Sequence, residues 1–242
     1  MNITVSAVRR VTNDDTRFRL HNWLCSRPVT MRGYALLQPK VRGGVVNDRT
    51  DLVLEGFPRS ANTYALAAFR CTNGPGPVVA SHLHTAVSVV EGVRRGLPVV
   101  VVVRDPVDAC ASMIQRQPVT PRSALTAYIR FNSTVVEHLT DVVVSDFAVT
   151  TSSFGSVIKE LNQRFGTTFT PYDHTETNER WCREFVIEAD RTDQGLVRAR
   201  TVALPQASRR RESQAVKNAV RQEKALVHRA EDAYHAVLAQ GS

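Results

Sequence analysis

Five consecutive valines, Val99 to Val103, follow Pro98 and stop at Arg104-Asp105-Pro106. β-branched side chains favour extended backbone, and a run without polar alternation must be buried on both faces. That requirement predicts the central strand of a parallel sheet covered by helices on either side. Three shorter apolar runs fit the same sheet: Leu52 to Leu54, Val78 to Ala80, and Asp141 to Val144. Between them lie segments of helical spacing. These are Ala65 to Phe69, Thr85 to Arg95, Val107 to Gln115, Arg122 to Leu139 and Phe154 to Phe165. Strands alternating with helices imply right-handed crossovers and a three-layer α/β architecture. Residues 12–25 have mixed helical character with Asn13, Asp14 and Asp15 as candidate caps, and 213–239 read as one closing helix. Residues 167–193 read as polar and irregular, with a short helix near Glu179 to Ile187.

On such sheets ligands sit beyond the carboxyl ends of the strands. Three segments with binding chemistry fall there. The first is Gly56-Phe57-Pro58-Arg59-Ser60-Ala61-Asn62-Thr63-Tyr64, which leaves a strand and enters a helix. The first amides of a helix lack internal partners and face the positive end of its dipole, so such a turn suits an anion. Arg59 adds charge, and Ser60, Asn62 and Thr63 add neutral donors. It is not a Walker A loop: Ala61 stands where the second glycine belongs, and Asn62 where the lysine belongs. An ordinary strand-to-helix turn is the alternative. The second segment runs from Arg104 to Ser112. An Arg at a strand end offers a planar fork to phosphate oxygens, or an ion pair to Asp105 or Asp108. The third is Ser81-His82-Leu83-His84, with two imidazoles able to exchange protons near neutrality.

Together these segments resemble the sulfotransferases that use 3′-phosphoadenosine 5′-phosphosulfate (PAPS), which have a P-loop-like α/β fold. Pro58-Arg59-Ser60-Ala61-Asn62-Thr63 is similar to the family's Pro-Lys/Arg-Ser-Gly-Thr/Asn-Thr turn, with Ala61 departing from the pattern. The resemblance implies that Arg59, Ser60, Ala61, Asn62 and Thr63 bind the 5′ group, and that Arg59 also serves catalysis. It implies that Tyr64 stacks on adenine, against the alternative of core packing. Arg104-Asp105-Pro106-Val107-Asp108 followed by Ser112 looks like the motif that binds the 3′-phosphate. His82 stands 22 residues before Arg104, as the family's His-Leu pair does, which makes it the implied general base. His84 and Glu55 are rivals. A base at His84 is disfavoured because that residue is expected to enter the next helix, and Glu55 is expected to hold Arg59 or cap the turn. Arg210 and Arg211, within Arg209-Arg210-Arg211, match the basic loop that closes over the 3′-phosphate, or are a solvated helix flank. The resemblance covers Leu52 to Gly166 well and the last 40 residues loosely.

The implied activity is in-line transfer of a sulfuryl group from PAPS to a hydroxyl or amine, with adenosine 3′,5′-bisphosphate as product and no metal. The implied partner is a small-molecule, glycan or natural-product acceptor, with a homodimer left open. A related kinase and a non-enzymatic nucleic-acid-binding protein are the other readings. The kinase would need the missing Walker lysine. The second would explain a net charge of +8, but the basic residues are spread along the chain and no nucleic-acid motif is present. The 242 residues suit one domain, with 1–50 and 167–204 as candidate lid or acceptor segments. Four cysteines without metal-type spacing and the lack of a leader or long apolar run point to a reduced, cytoplasmic setting. Phe18, Trp23 and Tyr34 are expected in core or lid packing.

Overall fold

The computed structural model describes residues 14–25, 30–31, 33, 44–194 and 210–239, with the backbone alone for 191–194 and 210–212. Helix α1 spans Asp14–Leu24. It is followed by β1 (Leu52–Gly56), α2 (Asn62–Asn73), β2 (Val79–Ser81), α3 (Ala86–Arg94) and β3 (Val99–Val103). Then come α4 (Pro106–Arg116), α5 (Pro121–Val136), β4 (Val143–Asp146), α6 (Phe147–Ser152) and α7 (Phe154–Phe165). Helices α8 (Glu176–Gln194), α9 (Arg210–Gln222) and α10 (Lys224–Ala239) complete the described chain.

The four strands form one parallel sheet in the order β2-β1-β3-β4. The valine run is central, as its composition requires, and β3 is buried along its whole length. Alternate side chains of β1 and β3 enter different cores. Val53, Val99, Val101 and Val103 join α3, α4, α5 and α10 in one, around Met113, Leu125, Tyr128 and Val135. Leu52, Leu54, Val100 and Val102 join α2, α7 and α8 in the other, around Phe69, Phe154, Ile158 and Leu161. The three-layer α/β expectation therefore holds among the described residues.

Strand order fixes where a ligand can approach. The chain passes from β1 outward to β2, then crosses back to β3 on the other side of β1. Neighbouring connections therefore diverge beyond the carboxyl ends of β1 and β3, the position at which sheets of this kind place a ligand crevice. Leu54, Glu55 and Gly56 pair in register with Val100, Val101 and Val102, so both strands deliver their exit loops at one level.

Several boundaries differ from the sequence reading. Helix α8 covers Glu176–Gln194 rather than a few turns near Glu179. The closing helix is two helices, separated at Glu223. The fourth strand starts at Val143, because Leu139–Asp141 forms a 3-10 turn ahead of it. Asp15 caps α5 rather than its own helix: its carboxylate accepts from Thr120 N at 2.8 Å and Ser123 Oγ at 2.9 Å. Phe18 packs against the first core, whereas Trp23 is 49% exposed. Tyr34 lies outside the described residues. No helix among them is long and apolar enough to cross a membrane.

Candidate active site

Gly56 ends β1 where two chains nearly touch. A Cβ there would lie 2.3 Å from the Val102 carbonyl oxygen and 2.5 Å from Asn62 Oδ1, so only glycine fits. The space lets Asn62 fold back. Its Nδ2 donates to the carbonyls of Phe57 at 3.0 Å and Gly56 at 3.2 Å, tying the start of α2 to the end of β1. Between them the loop turns through left-handed backbone at Arg59 (φ 71°) and Ala61 (φ 78°). That conformation costs a non-glycine residue about 1–2 kcal/mol. Ala61 therefore holds, under strain, a backbone conformation that glycine adopts freely. Ala61 is also the N-cap of α2 and supplies no side-chain cap to the helix's first amides. Ser60 is fully buried, and its hydroxyl has no hydrogen-bond partner among the described residues; the same holds for Asn62 Oδ1. Buried polar atoms without partners are costly, and Ser88 Oγ, Gln115 Nε2 and Asn132 Oδ1 share that state elsewhere in the described chain.

The segment after β3 meets this loop. Arg104 Nη1 donates to the Arg59 carbonyl at 2.9 Å, and Arg59 Nε donates to Ser112 Oγ at 3.0 Å. Residues 45 and 53 positions apart in the chain thus share one face of the crevice. The Arg104 guanidinium lies 4.2 Å from the centre of the Phe147 ring, and its carbonyl accepts from Tyr128 Oη at 2.6 Å. Of the two carboxylates beside Arg104, Asp108 Oδ2 lies 3.9 Å from Nη2, whereas Asp105 caps α4 by accepting from Asp108 N at 2.9 Å.

The third segment hangs from Glu55. This side chain is fully buried and accepts from Leu83 N and His84 N, each at 3.0 Å. Burial pushes its pKa up to about 8, against the pull of these amides and that of Gly56. Glu55 therefore holds the turn after β2 rather than Arg59. His82 (φ 66°) is exposed, with Nδ1 3.0 Å from Ser81 Oγ and Nε2 3.2 Å from Thr63 Oγ1. His84 (φ 53°) does not enter the next helix, since α3 begins at Ala86 behind the Thr85 cap. Its Nδ1 lies 3.0 Å from the Gly56 carbonyl and must carry the proton there, which leaves Nε2 as the lone-pair nitrogen. Burial, then the nearby His82, Arg59 and Arg116, lower its pKa to about 4. All four non-glycine residues with left-handed backbone among the described residues, Arg59, Ala61, His82 and His84, belong to this site.

Tyr64 is directed elsewhere. Its hydroxyl donates to Glu179 Oε1 at 2.5 Å, and its ring lies edge-on to Tyr172 and nearly parallel to His174, with centroids 6.5 Å apart in each case. Burial and Glu179 push its phenol above the ordinary range. Tyr64 thus packs α2 against α8. Arg209 lies outside the described residues; Arg210 and Arg211 open α9. Two residues went unmarked in the sequence. Arg116, at the end of α4, bears on His84 and pairs with the buried Asp190 at 2.8 Å. Lys217, on α9, pairs with Asp108 at 2.5 Å. Neither sits in a motif, and only strand order and helix packing bring them here. Two shallow clefts, around Leu97 and Phe165, lie at the opposite, amino-terminal end of the strands. Among the described residues, no group of three or more His, Cys, Asp or Glu could hold a metal ion. In comparisons with protein-family models, characterised proteins and solved structures, nothing matches this chain.

Proposed function

We propose that this protein is a PAPS-dependent sulfotransferase acting on a hydroxyl or amine of a small-molecule, glycan or natural-product acceptor. The observation that carries the reading is the junction of Arg59, Arg104 and Ser112 at the crevice between β1 and β3. It joins the two segments expected to hold the 5′ and 3′ ends of one bisphosphate nucleotide. The partnerless Ser60 hydroxyl and the uncapped start of α2 supply neutral donors beside that charge. PAPS supplies the activated sulfuryl group; the chain binds, orients and balances charge. Arg59 offsets the negative charge that builds on the leaving phosphate, an interaction strongest in the transition state. His82, at the exposed lip of the crevice and beside Thr63, takes the acceptor's proton. The kinase reading is weaker, because Asn62 occupies the lysine position and spends its amide on Gly56 and Phe57.

Titration calorimetry with adenosine 3′,5′-bisphosphate, 5′-AMP and ATP tests the reading. The bisphosphate is expected to bind much more tightly than 5′-AMP. Arg104→Ala should remove about 2–3 kcal/mol of that preference, the worth of a charge-assisted hydrogen bond. Equal affinity for the bisphosphate and 5′-AMP, or a preference for ATP, overturns it.

A further inference from the structure

We infer that Lys217 is a third cation of this anion site, and that Asp108 holds the anion's place until it arrives. The inference rests on the sulfotransferase reading and adds to it a residue from the C-terminal helices. Two cations from distant parts of the chain converge on one carboxylate. Lys217 Nζ, on α9, lies 2.5 Å from Asp108 Oδ1, and Arg104 Nη2, at the end of β3, lies 3.9 Å from Oδ2. Asp108 sits in the first turn of α4, one turn before Ser112, whose hydroxyl accepts from Arg59. The three side chains border solvent: Arg104 is 23% exposed, Lys217 28% and Asp108 35%. An anion can therefore reach them without unfolding the site.

The carboxylate has a clear physical task. Arg59, Arg104 and Lys217 are like charges on one rim, and without a counter-charge they repel. Asp108 supplies much of that charge, alongside Asp105 near Arg104, and holds Lys217 directly. A phosphate group brings more charge and three acceptor oxygens, so it can take the donors of both Arg104 and Lys217 at once. Asp108 then loses its partners and becomes the group the ligand competes against. Removing the cation and removing the carboxylate must therefore change affinity in opposite directions. A pair that merely clamps α9 to α4 gives the same direction for both.

The experiment measures Kd for adenosine 3′,5′-bisphosphate and for 5′-AMP in the full chain, with thermal denaturation of each variant alongside. For Lys217→Ala the ratio of the two affinities should fall about tenfold, the lower end of a charge-assisted contact. For Asp108→Asn the bisphosphate should bind more tightly than to wild type, with 5′-AMP little changed. Lys217→Arg should keep most of the preference. If wild type distinguishes the nucleotides but Lys217→Ala keeps the ratio, the inference is overturned and the sulfotransferase reading stands. If Lys217→Ala and Asp108→Asn both lose the preference, the pair is a clamp and the inference is also overturned. A wild type that does not distinguish the two nucleotides overturns the reading on which the inference rests.

Discussion

Two histidines two residues apart sit in different surroundings because their backbones place them at different depths. His84 is held neutral: burial lowers its pKa to about 4, and its Nδ1–H is committed to the Gly56 carbonyl. A group already deprotonated above that pH contributes no rising limb to a rate profile between pH 5 and 8. His82 is exposed at the lip, within reach of Thr63. His82→Ala should therefore lower turnover of a hydroxyl acceptor by roughly 10²–10⁴-fold, the usual worth of a positioned base, and abolish the part of any limb that lies below the value near 8 at which Glu55 titrates. His84→Ala should lose far less and keep the limb. Initial rates with PAPS across that range decide the matter; a dead His84→Ala beside an active His82→Ala reverses the assignment. Glu55 was legible as a rival base only because its burial could not be seen in sequence. With both oxygens accepting from the turn amides, it is a positioning residue for the two imidazoles.

At the scale of elements, β1 and the start of α2 behave as one unit fastened at Gly56. Gly56→Ala would drive a Cβ into the Val102 carbonyl and Asn62 Oδ1, neither of which can yield without separating β1 from β3 or releasing the loop. A loss of about 1–3 kcal/mol is expected from urea unfolding, together with weaker nucleotide binding. An unchanged unfolding midpoint would mean that the strands are not this close. The helices show where sequence signals thin out. In α8 the inward stripe is sparse: Cys182 and Val186 are buried and Phe185 is half-buried, among many charges. The helix owes its length to packing on α2 and to polar contacts such as Tyr64 with Glu179. No proline or glycine marks the division between α9 and α10. There the Glu223 carbonyl starts a new helix by accepting from Leu226 N and Val227 N, each at 2.9 Å. Helix α9 packs mainly on α4 and α10 mainly on α5.

Across the whole molecule, the Arg116–Asp190 pair joins helices from opposite sides of the sheet. Helix α4 belongs to the first core and α8 to the second. The Asp190 side chain is only 4% exposed, and Arg116 lies 2.8 Å away. Arg116→Leu removes the 2.8 Å partner of a buried carboxylate and should cost about 1–3 kcal/mol in urea unfolding. Adding Asp190→Leu should recover most of that loss, because two apolar partners need no desolvated charge. A single substitution that costs nothing, or a double that recovers nothing, would show that the pair does not join the layers. The charge of Arg116 also reinforces the neutral state of His84.

The sequence alone determined the layer architecture, since five valines without alternation need cover on both faces. It also supplied the donor types of the turn after β1, at Arg59, Ser60, Asn62 and Thr63, but not the left-handed backbone at Arg59 and Ala61. It could not decide which distant side chains meet. Arg59 with Ser112, Arg104 with the Arg59 carbonyl, His82 with Thr63 and Lys217 with Asp108 all depend on strand order and helix docking. The same holds for Tyr64, whose phenol found Glu179 across 115 residues of chain. Periodicity reports which face of an element is apolar, not which neighbour covers it. That choice comes from the summed packing of the whole sheet and both helical layers, and so only the tertiary structure made it.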